Sequence, residues 1–176
     1  MKKTFLFFKR SFSALSLSIF FFSCGGGSGN SNGSQDNLIP TGVPQNGVLG
    51  SWYVQSGNIS GVNKIDIEPS PISSVEVDVF AYIESDRFTV VSKCSFEDGS
   101  QLTAVASASA SITDSVDVPD VKQLHTLDRK VSRVIEGKHW CTASITPSTM
   151  SLQLESNFTL RMWNQNAVNV FLSRIE

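Results

Sequence analysis

The sequence predicts an all-β domain, most simply an antiparallel up-and-down β-barrel of about eight strands, with a β-sandwich as the alternative. Apolar and polar residues alternate along most segments after residue 48, and such alternation is typical of half-buried strands. Clusters of Asp, Asn, Ser and Gly separate these segments about every ten residues. The short connections suit a barrel in which each strand pairs with its successor, and closure would remove exposed sheet edges.

The N-terminal residues precede this domain and have the layout of an export signal. Lys2, Lys3, Lys9 and Arg10 come first, and an apolar stretch follows as far as Phe22. This stretch is shorter than the ~20 apolar residues that span a bilayer. A basic start followed by a short apolar run predicts a secretory signal over residues 1–23.

The residues Ser23-Cys24-Gly25 resemble the lipobox of bacterial lipoproteins. In that family the Cys is acylated with palmitate-type chains and becomes the first residue. The usual lipobox has Leu and a small residue where this chain has Phe21 and Phe22. The resemblance implies lipidation of Cys24 and, because Gly25 and not Asp follows it, an outer-membrane location, periplasmic or surface-exposed. An ordinary signal peptide with an unmodified Cys24 is the alternative.

Residues 24–47 are predicted to form a flexible tether after the lipid-modified Cys, because they are rich in Gly, Ser, Asn and Gln. Residues 48–176 then form a single domain, long enough to bury a core. Four of the 14 basic residues lie in the signal and no acidic residue does, which leaves ten basic and 16 acidic residues, a difference of −6. This acidity makes nucleic acid an unexpected partner. The oligomeric state stays open.

The chain has three Cys residues. If Cys24 is acylated, Cys94 and Cys141 remain, and export delivers them to an oxidising compartment. A structural disulfide between them is therefore expected. A redox pair or metal site is the alternative, but the two residues lack CxxC spacing.

Alternation and turn residues define most strands. Asp98-Gly99 predicts a hairpin, and Pro147 ends a strand. The predicted strands are Leu49–Ser56, Val62–Ile67, Val75–Ile83, Phe88–Phe96, Leu102–Ile112, Trp140–Thr146, Met150–Leu154, Phe158–Met162 and Val168–Arg174.

Residues 119–136 are ambiguous. Val121, Leu124, Leu127, Val131 and Val134 recur at helical spacing, while residues 131–135 also fit a strand. A short helix capped by Asp120, or an irregular crossing, is the favoured interpretation.

Gly50-Ser51-Trp52 resembles the G-x-W motif that opens lipocalin-like barrels. Those barrels often place an Arg near the end of the last strand, packed across the Trp, and Arg174 matches this position. The resemblance implies that Gly50, Trp52 and Arg174 are structural and close the barrel through a cation–π contact. The family's middle motif is matched loosely by Thr113-Asp114.

The small residues of one strand suggest room inside such a barrel. Ala104, Ala106, Ala108 and Ala110 would face inward and leave a cavity for a small ligand. Phe158, Leu160 and Met162 would line that cavity or, in the alternative, fill it.

The sequence carries none of the common catalytic or phosphate-binding motifs, which favours a binding protein without cofactor over an enzyme. His139 and His125 lack partners at metal-ligand spacing and are expected to be ordinary core or surface residues. The predicted function is a lipid-anchored, lipocalin-like carrier of a small apolar or amphipathic ligand. The alternative is a non-enzymatic envelope or surface module that contacts another protein or a host.

Overall fold

The computed structural model describes residues 28–56, 75–164 and 169–176, and these form eleven strands and one 3-10 turn, Asp36–Leu38. The predicted strand at 62–67 and Val168 lie outside the described residues. The strands are β1 (Ser28–Asn32), β2 (Gly50–Ser56), β3 (Val75–Ile83), β4 (Arg87–Phe96), β5 (Gln101–Asp114), β6 (Val121–Thr126), β7 (Lys130–Glu136), β8 (His139–Ile145), β9 (Ser148–Ser156), β10 (Thr159–Trp163) and β11 (Asn169–Arg174).

Eight of these strands close into an antiparallel barrel, which confirms the predicted fold class. Their order around the barrel is β10, β11, β2, β3, β4, β5, β6 and β9. The last strand, β11, pairs with β2, and Arg174 lies directly opposite Trp52 in this ladder. Alternation explains the closure, because each of these strands has an apolar face that only the barrel interior can bury.

The helix or crossing favoured for residues 119–136 is wrong. These residues form β6 and β7, separated by a bend at 127–129. Asp120, expected to cap a helix, instead adopts a positive φ of 63° in the turn before β6, a conformation that Asp tolerates better than most residues.

β7 and β8 form a hairpin that lies in the sequence between β6 and β9, and β6 and β9 are themselves neighbours in the barrel. β6 pairs with β9 from Val121–Gln153 to Thr126–Ser148, and the hairpin connects their ends. The hairpin leaves the barrel wall and packs on β4 and β5. β1 adds to its β7 edge in parallel, so β1, β7 and β8 form a separate three-stranded sheet.

The structure differs from the predicted flexible tether over residues 28–47. β1 pairs with β7, and Gln35 then binds the edge of β5 by donating its backbone N–H to the Thr103 carbonyl at 2.9 Å. This edge is open because β5 pairs with β6 only from Ala110 onward. The unpaired backbone groups of β5 therefore hydrogen-bond to the N-terminal segment and fix its position, although this segment is polar and has no apolar pattern.

One buried cluster fills the described interior and joins the barrel to the hairpin. Val134 and Ala143 of the hairpin belong to it, together with inward-facing residues of the barrel strands. Its largest fully buried side chains are Trp52, Phe88, Ile83, Leu102, Leu124, Ile145, Leu152, Leu160, Met162, Leu172 and Val90.

Candidate functional site

Trp52 and Arg174 meet at one end of the barrel, as predicted. Trp52 is fully buried, and its indole N–H donates to the Val48 carbonyl at 3.1 Å. The Arg174 guanidinium carbon lies 4.3 Å from the centre of the Trp52 ring. A cation over an indole face in this geometry is favourable, so the two chain-distant strands are joined by side chains as well as by their ladder.

Arg174 also organises the connections at this end, a role that the motif did not predict. Its guanidinium donates four hydrogen bonds, to Gln45 Oε1 and to the carbonyl oxygens of Gly47, Leu49 and Asn157. A Cβ at Gly50 would lie 2.6 Å from Gln45 Oε1 and 3.0 Å from Arg174 Nη1. The motif therefore needs Gly50 because the Arg174 side chain and its amide partner occupy that space.

The alanine strip, defined as Ala104, Ala106 and Ala108 on β5, faces inward but lies under the β7–β8 hairpin. All three residues are buried, and β7 and β8 both pack on β5. Small side chains allow two sheets to approach closely. The room expected for a ligand is therefore occupied by the protein's own hairpin.

The other predicted cavity residues have different positions. Leu160 and Met162 are fully buried in the core, and Ala110 is half-buried against it. Phe158 is 59% exposed, so its assignment to an internal cavity is wrong. It lies in the turn between β9 and β10 and does not belong to a strand face.

A disulfide fastens the hairpin to the barrel wall. Cys94 of β4 and Cys141 of β8 are bonded, with Cα atoms 5.8 Å apart, which confirms the predicted pair. His139, two residues before Cys141, is buried and stacks on Phe96 at 4.1 Å. Its Nε2 lies 2.6 Å from Asp98 Oδ2. The hairpin tip is therefore held by one covalent bond, one ring contact and one polar contact.

Asp98 has an ordinary position on a turn but an unusual electrostatic environment. Hydrogen bonds from Ser100 and His139 hold the pKa of the Asp98 carboxyl well below its usual range. Because the carboxylate can only accept, the proton between the two side chains belongs to His139 Nε2. His139 Nδ1 is buried and has no hydrogen-bond partner among the described residues.

The outer wall carries a group of aromatic and cationic side chains, here called the aromatic face. Tyr53 and Phe80 pack with ring centres 5.5 Å apart, and Lys93 Nζ lies 5.4 Å from the Phe80 ring centre. On β10, the Arg161 guanidinium carbon lies 5.0 Å from the Trp163 ring centre. These side chains alternate with buried neighbours on the same strands and therefore point outward.

A shallow groove of about 420 Å³ lies outside the barrel between the N-terminal segment and the β3–β4 turn. It is lined by Leu38, Pro40, Thr41, Glu84, Arg87, Thr89, Val105 and Ser107. Two of the hydroxyl groups in the groove already have a partner, because Thr89 and Ser107 hydrogen-bond to each other at 2.9 Å.

The remaining motif residues contact neighbouring strands in the described part of the chain. His125 lies within hydrogen-bonding distance of Thr113 and Thr149. Thr113 and Asp114 are the last residues of β5 and not a separate turn, and Asp114 pairs with Lys122. Residues 28–56, 75–164 and 169–176 contain no group of three or more His, Cys, Asp or Glu arranged to hold a metal ion.

Cys24 and the predicted signal lie outside the described residues. No helix in the described ranges is both long enough and apolar enough to cross a membrane. No family model, no curated protein and no solved structure matches this chain.

Proposed function

We propose that this chain is a lipid-anchored lipoprotein of the bacterial cell envelope, held at the outer membrane through an acylated Cys24. Its barrel acts as a non-enzymatic binding module with the partner on the outer wall. The covered alanine strip carries this proposal. The hairpin occupies the inward-facing space of β5, whereas the aromatic face has no strand packed over it among the described residues.

The chemistry of the aromatic face suits a protein partner. Tyr, Trp and Arg are the residues that contribute most to protein–protein affinity, because they bury a large area and keep a polar group for the rim. Tyr53 is 37% exposed and donates to Asp78 Oδ1 at 3.0 Å, which fixes its ring on the surface. Lys93 and Arg161 add positive charge to an otherwise acidic protein.

Site-specific photocrosslinking in the cells that make this protein tests the proposal. A crosslinking residue at position 53 should give a discrete protein adduct. The same residue at Leu154, which is 36% exposed on β9, is the matched control and should give none. Absence of an adduct at 53, or identical adducts at both positions, would overturn the proposal.

A carrier of a small apolar or amphipathic ligand is the second candidate. The closed eight-stranded barrel and its Trp52–Arg174 contact support it, since small barrels of this size can hold one ligand. Native mass spectrometry of the protein from its own membrane separates the candidates. A mass equal to the acylated protein supports the outer-wall module, and an added small molecule supports the carrier.

Both candidates share the lipid anchor, which is tested separately. Cys24→Ala should abolish metabolic labelling with palmitate and leave the precursor uncleaved by lipoprotein signal peptidase. Unchanged labelling of the variant would refute the anchor and leave the barrel assignment intact.

A further inference from the structure

The chain that leads from Cys24 to the folded domain is short. β1 begins at Ser28, so only residues 25–27, all glycines, separate it from Cys24. An extended chain spans at most ~3.6 Å per residue, which places Cys24 within about 14 Å of the Ser28 Cα in any conformation. An acyl group on Cys24 would therefore hold the domain close to the bilayer.

The N-terminal segment cannot supply extra length without losing specific contacts. Gln35 Oε1 accepts from the Val105 N–H at 2.8 Å and from the Ser132 hydroxyl at 2.7 Å. Ser34 Oγ accepts from the Thr103 N–H at 3.0 Å, and Asp36 accepts from the Thr103 hydroxyl at 2.7 Å. These bonds join β1 and its continuation to both β5 and β7, so the effective tether ends at β1.

The position of β1 identifies the part of the surface nearest to the anchor. Ser28 pairs with Val131, close to the start of β7 and to the bend that precedes it. This bend and the first residue of β7, residues 127–130, are here called the anchor corner. Leu127 at its start is 82% exposed.

The anchor corner has the composition of a membrane contact. Arg129 is exposed and Lys130 half-buried, while Asp128 is the one acidic residue among the four. Within the described ranges neither cation forms an ion pair. An exposed Leu beside two such cations suits the boundary between headgroups and acyl chains, where apolar groups insert and cations meet phosphates.

We propose that the anchor corner lies on the lipid headgroups, with Leu127 inserted and the two cations at phosphate level. This inference rests on the proposed acylation of Cys24. It also orients the barrel, because β6 and β2 are four strands apart in a ring of eight. The outer side of β2, which carries Tyr53 of the aromatic face, then points away from the bilayer towards a partner.

Fluorescence depth measurement tests this orientation. The acylated Leu127→Cys protein is labelled with a polarity-sensitive fluorophore and reconstituted in vesicles of zwitterionic and anionic phospholipid that include a headgroup-level quencher. Cys94 and Cys141 are bonded to each other, so the introduced thiol reacts selectively. Val116→Cys is the matched control, since Val116 is 99% exposed at the far end of β6. We expect a blue shift and several-fold stronger quenching at 127 than at 116.

Two further measurements separate a failure of the proposed lipid anchor from a failure of the proposed orientation. The mass of the N-terminal peptide reports acylation directly, and an unmodified Cys24 would refute the anchor itself. Acylated protein with equal quenching at 127 and 116 would overturn the orientation alone. A Gly/Ser insertion of about 12 residues between Gly27 and Ser28, with a span of roughly 20 Å, should lower the quenching at 127. Unchanged quenching after the insertion would refute the role of the short leader.

Discussion

The two ends of the hydrophobic core are closed by different means. At the end that holds Trp52 and Arg174, the first and last barrel strands share a hydrogen-bonded ladder, and side chains reinforce it. At the hairpin, β7 and β8 pair with each other but not with β5 on which they pack. That contact depends on a disulfide, on His139 and on Gln35. The first closure is a continuous ladder between the first and last barrel strands, whereas the second combines buried apolar contacts with one disulfide and a few polar contacts.

This difference predicts where single substitutions act most strongly. Trp52→Ala should destabilise the protein by about 3–5 kcal/mol, because it empties a large, fully buried volume at the laddered end. Equilibrium urea unfolding of the exported protein measures the change. A loss below about 1 kcal/mol, typical of surface substitutions, would contradict the central position of this residue.

A double-mutant cycle sharpens the same prediction. Arg174→Ala should cost about 1–3 kcal/mol through its cation–π contact and its hydrogen bonds to carbonyl groups. Because Trp52 and Arg174 are in contact, their effects should be non-additive by at least about 0.5 kcal/mol. Additive effects would show that the ladder alone closes this end.

Removing the disulfide should destabilise the protein by about 2–4 kcal/mol, the typical range for a disulfide, and the chain-entropy model gives about 4 kcal/mol for a loop with a sequence separation of 47. Unfolding of the double variant Cys94→Ala/Cys141→Ala measures the loss. Hydrogen exchange should quicken in β7 and β8 before it does in β10 and β11. Uniform acceleration over all strands would contradict the separate attachment of the hairpin.

Gln35→Ala tests the hydrogen bonds through which the Gln35 side chain joins β5 to β7. The substitution removes the acceptor of the Val105 N–H and the Ser132 hydroxyl, and unsatisfied buried donors cost about 1–3 kcal/mol. Gln101→Ala is the control, because within the described residues its exposed side chain bonds only to Ser95, and it should change stability by less than about 0.5 kcal/mol. Equal effects of the two variants would refute a special role for Gln35.

The two closures also differ in how far the sequence predicts them. Alternation in β3, β4 and β5 predicts which face points into the barrel, and the G-x-W resemblance predicts the Trp52–Arg174 contact. The hairpin end has no comparable pattern. The bend at residues 127–129 interrupts the period of two, so Leu124, Leu127 and Val131 acquire helical spacing by coincidence.

The position of the N-terminal segment could not be predicted from its sequence either, because the segment is polar. Its Ser, Gln and Asn residues carry no apolar periodicity, and their partners are backbone groups of β5 that are unpaired only once the barrel has formed. Composition predicts flexibility for such a segment. Likewise, the alanine strip indicates unfilled space, but only the tertiary structure shows that the hairpin fills it.

The smallest expected effect concerns pH and the contact between Asp98 and His139. The pKa of Asp98 is lowered in the folded protein by hydrogen bonds from Ser100 and His139, so the folded state binds the proton less readily than the unfolded state. These hydrogen bonds, the one from the Ser100 hydroxyl first, therefore stabilise the fold above the ordinary carboxyl pKa of 3.8, and the contribution is lost as the pH falls below it. Asp98→Asn should lower stability near neutral pH and flatten its decline in acid, whereas Asp117→Asn, on an exposed loop, should leave the profile unchanged. Urea unfolding at a series of pH values measures both profiles. If Asp98→Asn retained the full acid dependence of the unmodified protein, the hydrogen bonds that Ser100 and His139 make to Asp98 would contribute nothing measurable to stability.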